Sequence, residues 1–492
     1  MDAMRLAELL QSAGLPAGLA NPEITSLCHD SRRVTEGGLF FALPGQNTDG
    51  AEFINQAVAN GAAAVVAGSC VADAGRPIIR VSDARAAMAD IAAAFHGHPD
   101  RSLKCAGVTG TNGKTTTSFL IRHLLDSASL RCGLIGTVKY VVGGEEIPAP
   151  RTTPESVDLQ DMLAAMRDAG GRAVAMEVSS HALVQHRVRG IAFDAAVFTN
   201  LTRDHLDFHR SMEEYFDAKS LLFEALAAQT EKKGRAIINA DDRYGRQLIE
   251  KFGKRLKVLT FGRGMGEDFR ASAIRFDAAG ATFQLDAKRK SFLVRLPMIG
   301  LFNIYNALGA LAAAAACGVE LRAAIAALAA APQVPGRLER VTAKRNFQVY
   351  VDYAHTDDAL RNVLRTLRAL NPARIITVFG CGGDRDRAKR PLMAAAAEEF
   401  SDWTVLTSDN PRGEDPEAIL RDIESGLRGS RHEKITGRET AIRHAIGLAR
   451  PGDIVLIAGK GHENYQEFAD RRVPFDDVTA ARLALADKKS ET

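Results

Sequence analysis

The sequence predicts an α/β protein of three domains, for three reasons. Short apolar runs bounded by polar or turn residues alternate with helical stretches over most of the chain, which is typical of mostly parallel sheets with helices on both faces. A chain of 492 residues is too long for one hydrophobic core. Turn-forming residues at His96–Pro99 and Pro332–Gly336 mark two breaks, which place the domain boundaries near residues 100 and 335.

The predicted elements divide among these domains. The smaller N-terminal domain, residues 1–100, opens with an amphipathic helix at Met1–Gln11 and has predicted strands at Gly38–Leu43, Ala62–Ala67 and Pro77–Val81. The central domain, residues 101–335, has predicted strands at Leu103–Val108, Ala173–Val178, Ala195–Thr199 and Ala236–Asn239, a β-rich section at Phe269–Pro297, and two alanine-rich helices within 308–331. The C-terminal domain, residues 336–492, is predicted to be Rossmann-like, with strands at Val349–Asp352, Arg374–Phe379, Trp403–Thr407 and Asp453–Ala458.

Composition excludes several classes of protein. The net charge of +3 is nearly balanced, so a general nucleic-acid binder is not expected. No apolar run approaches the roughly 18 residues of a membrane span, and the opening residues lack the order of a signal peptide. The six cysteines lie at 28, 70, 105, 132, 317 and 381, with no CxxC pair, which favours reduced thiols in small core positions. We expect a cytoplasmic monomer that acts on small molecules.

A glycine loop follows the predicted strand Leu103–Val108. The segment Gly110–Thr116 reads Gly-Thr-Asn-Gly-Lys-Thr-Thr and leads into an amphipathic helix, the context that a phosphate-binding loop requires. Its backbone N–H groups and the helix start would face phosphate, Lys114 would contact the outer phosphates of ATP, and the Thr115 hydroxyl would hold Mg²⁺. The full pattern has glycine where this chain has Val108, so the loop is a tighter variant, and an incidental glycine-rich turn is the alternative.

Acidic and histidine side chains follow two further predicted strands. Glu177 ends one apolar run, and His205 lies within Asn200–Asp207 after the next. Ligand sites form at the carboxyl ends of strands in open α/β sheets, so both side chains are predicted to face the phosphate loop and to bind Mg²⁺. Alone, Glu177 would read as a helix cap or surface ion-pair partner and His205 as an ordinary polar histidine. Lys219 alone would read as an exposed helical lysine.

Taken together, these motifs resemble the Mur ligase family of peptidoglycan synthesis. The resemblance covers nearly the whole chain and rests on several motifs in the family's order: Gly110–Thr116, Glu177–His181, Asn200–Asp207, the lysine of Ala218–Phe223, Asn303 in Leu301–Asn306, Pro335–Arg337 and Asp352–His355. The chain is most similar to the members that add the third residue of the stem peptide. That narrower likeness rests on Asp30–Arg32 with Gly45–Asn47, on Arg151–Pro154 with Ser179 to Arg187, and on Asp409–Arg412.

The resemblance implies an ATP-dependent ligase that activates a carboxylate as an acyl phosphate and joins it to an amine. It implies catalytic roles for Lys114, Lys219, His205 and Glu177, and Mg²⁺ ligation by Thr115, Glu177, His205 and Lys219, the last as a carbamate. Nucleotide binding is implied for Gly110, Thr111, Asn112, Gly113, Lys114, Thr115, Thr116, Asn303, Arg337 and Asp352. Binding of a uridine-linked muramoyl dipeptide is implied for Ser31, Gln46, Thr152, Thr153, Ser179, Gln185 and Arg187.

The amino acid that is added is predicted from an arginine. Meso-diaminopimelate differs from L-lysine by a second carboxylate, which a guanidinium binds through two parallel hydrogen bonds. Arg412 has the form that the resemblance associates with diaminopimelate, and a solvent-facing loop arginine is the alternative. The full set implied for this amino acid is Arg385, Asp409, Asn410, Pro411, Arg412, Gly459 and Glu463. A lysine-adding Mur ligase, a folylpolyglutamate synthase-like ligase and an ATP-driven binding switch are the competing functions.

Overall fold

The computed structural model describes residues 3–16, 18, 20–45, 49–68, 75–204, 208–277, 279–341 and 345–488. The chain divides into two compact units, the first made of Met1–Phe269 with Leu308–Ala324 and the second of Arg270–Ala307 with Ile325–Thr492. Both units are built from parallel-rich sheets and helices, so the predicted α/β class is confirmed. The three predicted domain ranges stay predictions.

The N-terminal part of the first unit is built around a small parallel sheet, beside a separate antiparallel pair of strands. Its strands and helices are β1 (Met4–Arg5), α1 (Leu6–Ser12), β2 (Glu23–Ile24), β3 (Ser26–Cys28), β4 (Gly38–Phe41), α2 (Ile54–Ala59), β5 (Ala62–Ala67), β6 (Ile78–Arg80) and α3 (Ala84–Phe95). Strands β3 to β6 pair in that order and in parallel. The predicted opening helix is wrong at its start, because residues 4 and 5 pair with Glu23–Ile24 and the helix begins only at Leu6.

The larger sheet of the first unit places the phosphate loop at its centre. Its elements are β7 (Lys104–Thr109), α4 (Lys114–Ser127), β8 (Cys132–Ile135), β9 (Lys139–Val142), β10 (Glu145–Pro148), α5 (Ser156–Asp168), β11 (Ala173–Glu177), α6 (Ser180–Val184), β12 (Ala195–Phe198), α7 (Met212–Ala228), β13 (Arg235–Asn239), α8 (Arg243–Phe252) and β14 (Lys257–Gly262). The order is β10-β9-β8-β11-β7-β12-β13-β14, with antiparallel pairing only at the β8-β9-β10 edge. Because β11 and β12 flank β7 in parallel, all three carboxyl ends meet at one sheet edge.

The second unit contains a meander and a six-stranded sheet. The meander consists of β15 (Phe269–Asp277), β16 (Gly280–Ala287) and β17 (Lys290–Leu296), followed by α9 (Leu301–Ala316) and α10 (Leu321–Leu328). The boundary between the units passes through β15, α9 and α10. Helix α9 begins earlier than the alanine-rich run indicated, which puts Asn303 in its first turn.

The remaining elements are β18 (Glu339–Val341), β19 (Gln348–Asp352), α11 (Asp357–Arg368), β20 (Ile375–Phe379), α12 (Lys389–Phe400), β21 (Trp403–Leu406), α13 (Pro416–Glu424), β22 (His432–Lys434), α14 (Arg438–Leu448), β23 (Ile454–Ala458), β24 (Tyr465–Glu467), β25 (Arg472–Pro474) and α15 (Asp477–Asp487). The sheet order is β18-β19-β23-β20-β21-β22, parallel except for β18. Apolar clusters cover both faces of this sheet. Every helix in the described ranges falls short of the length and apolar character needed to cross a membrane.

Candidate active site

The phosphate loop joins the end of β7 to the start of α4. Gly110 and Gly113 have φ values of +145° and +88°, which glycine adopts without steric cost. A Cβ atom at Gly110 would lie 1.9 Å from Thr199 Oγ1, so this position excludes larger residues. Lys114 is the first residue of α4, and its Nζ donates to the carbonyls of Gly110 (2.9 Å) and Thr111 (2.7 Å). The ammonium group therefore lies against the loop backbone.

The loop is fastened to the segment that follows β12. Thr111 N–H donates to the Asn200 carbonyl at 2.8 Å, and Asn112 N–H donates to Asn200 Oδ1 at 3.0 Å. In return, Thr199 Oγ1 and Asn200 Nδ2 donate to the Asn112 carbonyl at 2.6 and 3.0 Å. Because both partners are strand ends of the same sheet, the shape of the loop is set by the sheet.

Glu177 lies beside the loop and is fully buried. Its Oε2 accepts hydrogen bonds from Thr115 Oγ1 at 3.1 Å and from Thr137 Oγ1 at 3.0 Å, and its Oε1 accepts one from the Thr137 backbone at 2.8 Å. Thr137 follows β8, the strand next to β11, so a third strand end contributes to the same edge. A Cβ at Gly136 would lie 2.4 Å from Glu177 Oε1, which explains the glycine there.

Lys219 is buried on α7 rather than exposed. Its Nζ donates to the Gly110 carbonyl at 2.9 Å and lies 4.5 Å from the centre of the Tyr215 ring. Burial lowers the pKa of Lys219 well below its ordinary value, and the charge of Lys114 lowers it further, while Asp204 opposes both. The neutral amine is thereby favoured.

The described donors suit a hard cation. Thr115 Oγ1 and the Glu177 carboxylate converge beside the loop, and oxygen ligands of this kind are what Mg²⁺ prefers. A carbamate on Lys219 would add further oxygen atoms. His205, the remaining predicted ligand, lies outside the described residues. In the described ranges as a whole, this site included, no group of three or more histidine, cysteine or acidic residues is arranged to hold a metal.

The side chains predicted to bind the muramoyl dipeptide lie together, next to Glu177. Thr152 Oγ1 lies 3.0 Å from Thr137 Oγ1, and Thr153 Oγ1 donates to the Glu177 carbonyl at 2.8 Å. Ser179 caps α6, and its backbone N–H donates to Thr153 Oγ1 at 3.3 Å. Arg187 donates to the Thr153 carbonyl at 2.8 Å and to Gln185 Oε1 at 2.7 Å. These five residues therefore form one polar cluster, linked by hydrogen bonds to Thr137 and Glu177.

The predicted uridine contacts are only partly described. Ser31 is buried, and its Oγ donates to Gln56 Oε1 at 2.8 Å. The second residue of this set, Gln46, lies outside the described residues.

The three residues of the second unit that are predicted to bind the nucleotide each contact neighbouring residues. Asn303 Nδ2 donates to the Ile299 carbonyl at 2.8 Å. The Cζ atom of Arg337 lies over the Tyr353 ring, 4.7 Å from its centre. Asp352 ends β19 and accepts backbone hydrogen bonds from Leu338 at 2.6 Å and Ala354 at 2.8 Å. Burial raises the pKa of Asp352 to about 6, although the Arg337 charge and the two N–H groups act in the opposite direction.

Most of the predicted amino-acid contacts gather beyond the carboxyl ends of β21 and β23. Asn410 Nδ2 donates a hydrogen bond to Glu463 Oε2 at 2.9 Å. The buried Lys460 Nζ donates to Asn410 Oδ1 at 2.9 Å and to Glu463 Oε2 at 3.0 Å. Gly459 leaves room for Asp409, whose Oδ2 would lie 2.7 Å from a Cβ at that glycine. The Pro411 carbonyl would lie 1.9 Å from a Cβ at Gly383, so this loop also packs tightly.

Two arginines of this set differ in their partners. Arg412 donates from Nε to Glu467 Oε2 at 2.9 Å and from Nη1 to the Gly383 carbonyl at 2.8 Å. Arg385 is exposed on the loop after β20, and none of the described residues pairs with its guanidinium.

Three contributing residues were missed from the sequence. Thr137 follows an apolar strand, the signal that identified Glu177, and could have been found in the same way. Lys460 lies inside the Gly459–Glu463 motif but would ordinarily be read as an exposed lysine. Glu467 carries no sequence signal, because its contact with Arg412 joins residues 55 apart.

Comparisons with known proteins identify the family. Family models match over residues 23–96 (Mur ligase family, catalytic domain), 108–314 (Mur ligase middle domain) and 336–461 (Mur ligase, glutamate ligase domain). A UDP-N-acetylmuramoyl-L-alanyl-D-glutamate–2,6-diaminopimelate ligase of Solibacter usitatus is 48% identical over 489 residues, covering 98% of each chain. The chain belongs to the Mur ligase family. A ligase of the same name from Geobacillus kaustophilus is also 48% identical to this Mur ligase, over 95% of this chain and 96% of that protein.

Solved structures agree with the fold of this Mur ligase. A UDP-N-acetylmuramoyl-L-alanyl-D-glutamate–2,6-diaminopimelate ligase matches with a TM-score of 0.71 and 35% identity, over 99% of both chains. A folylpolyglutamate synthase of Mycobacterium tuberculosis matches with a TM-score of 0.64 and 20% identity, over 81% of this chain and 95% of that one. At that identity the second likeness shows a shared fold alone. The family resemblance read from the sequence is confirmed.

Proposed function

We propose that this Mur ligase uses ATP to join meso-diaminopimelate to UDP-N-acetylmuramoyl-L-alanyl-D-glutamate during synthesis of peptidoglycan precursors. The observation that carries the proposal is the 48% identity, over 98% of each chain, to a ligase of that name. The phosphate loop, with Lys114 at its end and Lys219 of α7 donating to it, supports the use of ATP. Arg412 supports an amino acid with a second carboxylate.

The first step is phosphoryl transfer. An oxygen of the D-glutamate side-chain carboxylate attacks the γ-phosphorus, the bond to the β-phosphate oxygen breaks, and ADP leaves. Lys114 balances negative charge on the outer phosphates, and the loop N–H groups orient them. Asn303, Arg337 and Asp352 are proposed to bind the nucleotide.

Mg²⁺ is proposed to be held by Thr115, Glu177, His205 and a carbamate on Lys219, and when bound it would neutralise phosphate charge.

The muramoyl dipeptide is proposed to be oriented by Thr152, Thr153, Ser179, Gln185 and Arg187, with Ser31 and Gln46. Their role is to keep its carboxylate in line with the transferred phosphoryl group.

The second step is attack by the amine. A neutral amine of diaminopimelate adds to the acyl carbon and a tetrahedral intermediate forms. The carbon–oxygen bond to phosphate then breaks, and the proton lost by the nitrogen leaves with the phosphate as the amide is made. Glu463 is proposed to accept a hydrogen bond from the ammonium group of the incoming amino acid. Arg385 and Arg412 are proposed to bind its carboxylates, and the pocket is proposed to be shaped by Asp409, Asn410, Pro411 and Gly459.

We further propose that the protein is a cytoplasmic monomer without nucleic-acid partners.

The test measures phosphate release by the full-length protein with ATP, Mg²⁺ and the muramoyl dipeptide nucleotide. Meso-diaminopimelate should stimulate release strongly and should be consumed in equal amount, whereas L-lysine should stimulate it far less. Preference for L-lysine would identify a lysine-adding ligase. Stimulation by L-glutamate with a folate substrate would identify a folylpolyglutamate synthase. Slow release that no amino acid accelerates would favour an ATP-driven switch.

A further inference from the structure

The hairpin β24–β25 runs alongside the Asp409–Arg412 segment. Three contacts link its first strand to that segment: Gln466 Nε2 donates to the Asp409 carbonyl at 2.8 Å, Glu467 N–H donates to Asn410 Oδ1 at 3.0 Å, and Arg412 N–H donates to the Glu467 carbonyl at 3.0 Å. Arg412 has a φ of +50°, a left-handed conformation that is disfavoured for residues other than glycine. The backbone bond to Glu467 holds Arg412 in that conformation.

The same hairpin residue also fixes the guanidinium. Glu467 Oε2 accepts from Arg412 Nε at 2.9 Å, while the Gly383 carbonyl accepts from Nη1 at 2.8 Å. These two acceptors lie on different edges of the planar group, so its orientation is determined. Within the described part of the chain, no residue accepts a hydrogen bond from Nη2. The guanidinium therefore keeps donors for a carboxylate while its plane is already set.

A second arginine compensates the charge of Glu467. Glu467 Oε1 accepts from Arg472 Nε at 3.0 Å and from its Nη2 at 2.6 Å, across the hairpin pair Glu467–Arg472. Two guanidinium groups and one carboxylate leave a single positive charge on the trio. Without Arg472, the Glu467 carboxylate would cancel the charge of Arg412 toward an incoming carboxylate.

We propose that Glu467 is a positioning residue for amino-acid recognition: it orients the Arg412 guanidinium, and Arg472 maintains the positive charge that an amino-acid carboxylate meets. This inference rests on the proposed function, in which Arg412 binds a carboxylate of diaminopimelate. A side chain fixed before binding loses less conformational freedom when the substrate arrives, so removal of the brace should weaken substrate affinity.

The experiment compares Glu467→Ala with Glu467→Gln in the full-length protein. Both variants remove the negative charge, but only glutamine keeps an oxygen that can accept from Arg412 Nε. Glu467→Ala should raise the KM for meso-diaminopimelate about three- to tenfold, while kcat and the KM values for ATP and the muramoyl nucleotide stay within about twofold. Glu467→Gln should restore the wild-type KM to within about twofold. Asp470→Asn, at the tip of the same hairpin and paired only with the exposed Arg471 in the described contacts, is the matched control and should change none of these constants.

Each other outcome overturns the inference in a recognisable way. An unchanged diaminopimelate KM in Glu467→Ala would show that Arg412 needs no brace. Equal defects in the alanine and glutamine variants would show that a hydrogen-bond acceptor at this position is not enough to orient Arg412, which contradicts the proposed brace. A parallel loss of kcat and of affinity for all three substrates would show a structural defect. A wild-type enzyme without diaminopimelate-dependent turnover would instead refute the proposed function, and the inference with it.

Discussion

One backbone carbonyl in the phosphate loop accepts hydrogen bonds from two lysines. Gly110 O lies 2.9 Å from Lys114 Nζ and 2.9 Å from Lys219 Nζ. Two ammonium groups so close together repel each other, and the buried one is the more easily deprotonated. A neutral amine can react with CO₂, whereas an ammonium group cannot. The pKa shift of Lys219 therefore favours the carbamate that the family resemblance implies.

Lys219→Ala should be nearly inactive, because it removes the side chain that would carry the carbamate oxygens. Short carboxylic acids should partly restore turnover by supplying oxygen ligands in the space left behind. Activity of the wild-type protein should fall in CO₂-depleted buffer, and ¹³C-bicarbonate should label a carbamate that the variant lacks. Lys251→Ala, at an exposed helical lysine, is the control. Full activity of Lys219→Ala would exclude this role.

Lys114→Ala should abolish ligation while hardly changing stability. Loss of a phosphate-contacting cation should cost several kcal/mol of transition-state stabilisation, on the order of a thousandfold or more in rate. The side chain is not part of the apolar core, so thermal unfolding should stay near the wild-type midpoint. Steady-state kinetics and circular dichroism measure the two effects. Turnover near the wild-type rate would remove the phosphate loop from the mechanism.

At the scale of the element, the strand–loop–helix unit depends on Gly110. Gly110→Ala combines a positive φ with a contact of 1.9 Å to Thr199 Oγ1, so the loop must move away from the segment after β12. We expect a loss of roughly 2–4 kcal/mol in stability together with loss of ATP binding. Gly318→Ala is the matched control, since Gly318 also has a positive φ but open space around it. ATP affinity measured by calorimetry should be lost only in the first variant.

Asp352, at the end of strand β19, should make the free energy of unfolding depend on pH. The folded-state pKa of Asp352 is raised from 3.8 to about 6, so the folded protein holds this proton over a range where the unfolded chain has released it. The stabilisation from Asp352 is thus fully present below about pH 4 and is lost as pH rises through about 6. Between pH 4 and 7.5, the free energy of unfolding of wild type should therefore fall by about 1–3 kcal/mol relative to that of Asp352→Asn.

The single tryptophan, Trp403, begins β21 in the same sheet as β19, so its fluorescence during urea unfolding of the nucleotide-free protein reports on this region. A difference between the two proteins that does not vary with pH would mean that Asp352 titrates at its ordinary value.

The elements were predictable where the signal was local. Apolar runs gave Ala62–Ala67 with both ends correct and Ala173–Glu177 to within one residue, because a buried parallel strand must be apolar on both faces. The start of α1 was missed because pairing with Glu23–Ile24 overrides helical periodicity at residues 4 and 5. The short strands β24 and β25 were not predicted, since they pair with each other and β24 contacts Asp409–Arg412, and no local pattern records such interactions.

The candidate site was predictable in its parts but not in its connections. The rule that ligands bind at the carboxyl ends of strands predicted that Glu177 faces the phosphate loop. In the structure, Glu177 accepts a hydrogen bond from Thr115 at the end of that loop. Nothing in the sequence itself distinguished Lys219 from an exposed helical lysine, and its burial depends on how α7 packs. Contacts such as Thr137 with Glu177 and Glu467 with Arg412 join distant residues, so only the folded chain shows them.

At the scale of the whole molecule, the phosphate loop and the proposed amino-acid selector lie in different parts of the chain. The phosphate loop, Glu177 and Lys219 belong to the first unit, and Arg412 with its hairpin brace belongs to the second. A defect confined to Arg412 and its hairpin, away from the nucleotide contacts Asn303, Arg337 and Asp352 of the same unit, should therefore leave phosphoryl transfer intact. Substitution of Arg412 separates the chemistry of activation from the selection of the amine.

Arg412→Ala should raise the meso-diaminopimelate KM by about ten- to a thousandfold, because a charge-assisted bidentate pair contributes roughly 1.5–3 kcal/mol or more. Turnover of L-lysine should change little, so the preference for diaminopimelate narrows, and Arg412→Lys should recover little because an ammonium group cannot form the paired bonds. The ATP KM should stay constant, and acyl phosphate trapped with hydroxylamine in the absence of amino acid should form as in wild type. We would measure kcat/KM for both amino acids, with the trapping assay, in all three proteins. An unchanged ratio of the two amino acids, or loss of the trapped acyl phosphate, would show that Arg412 does not select the amine.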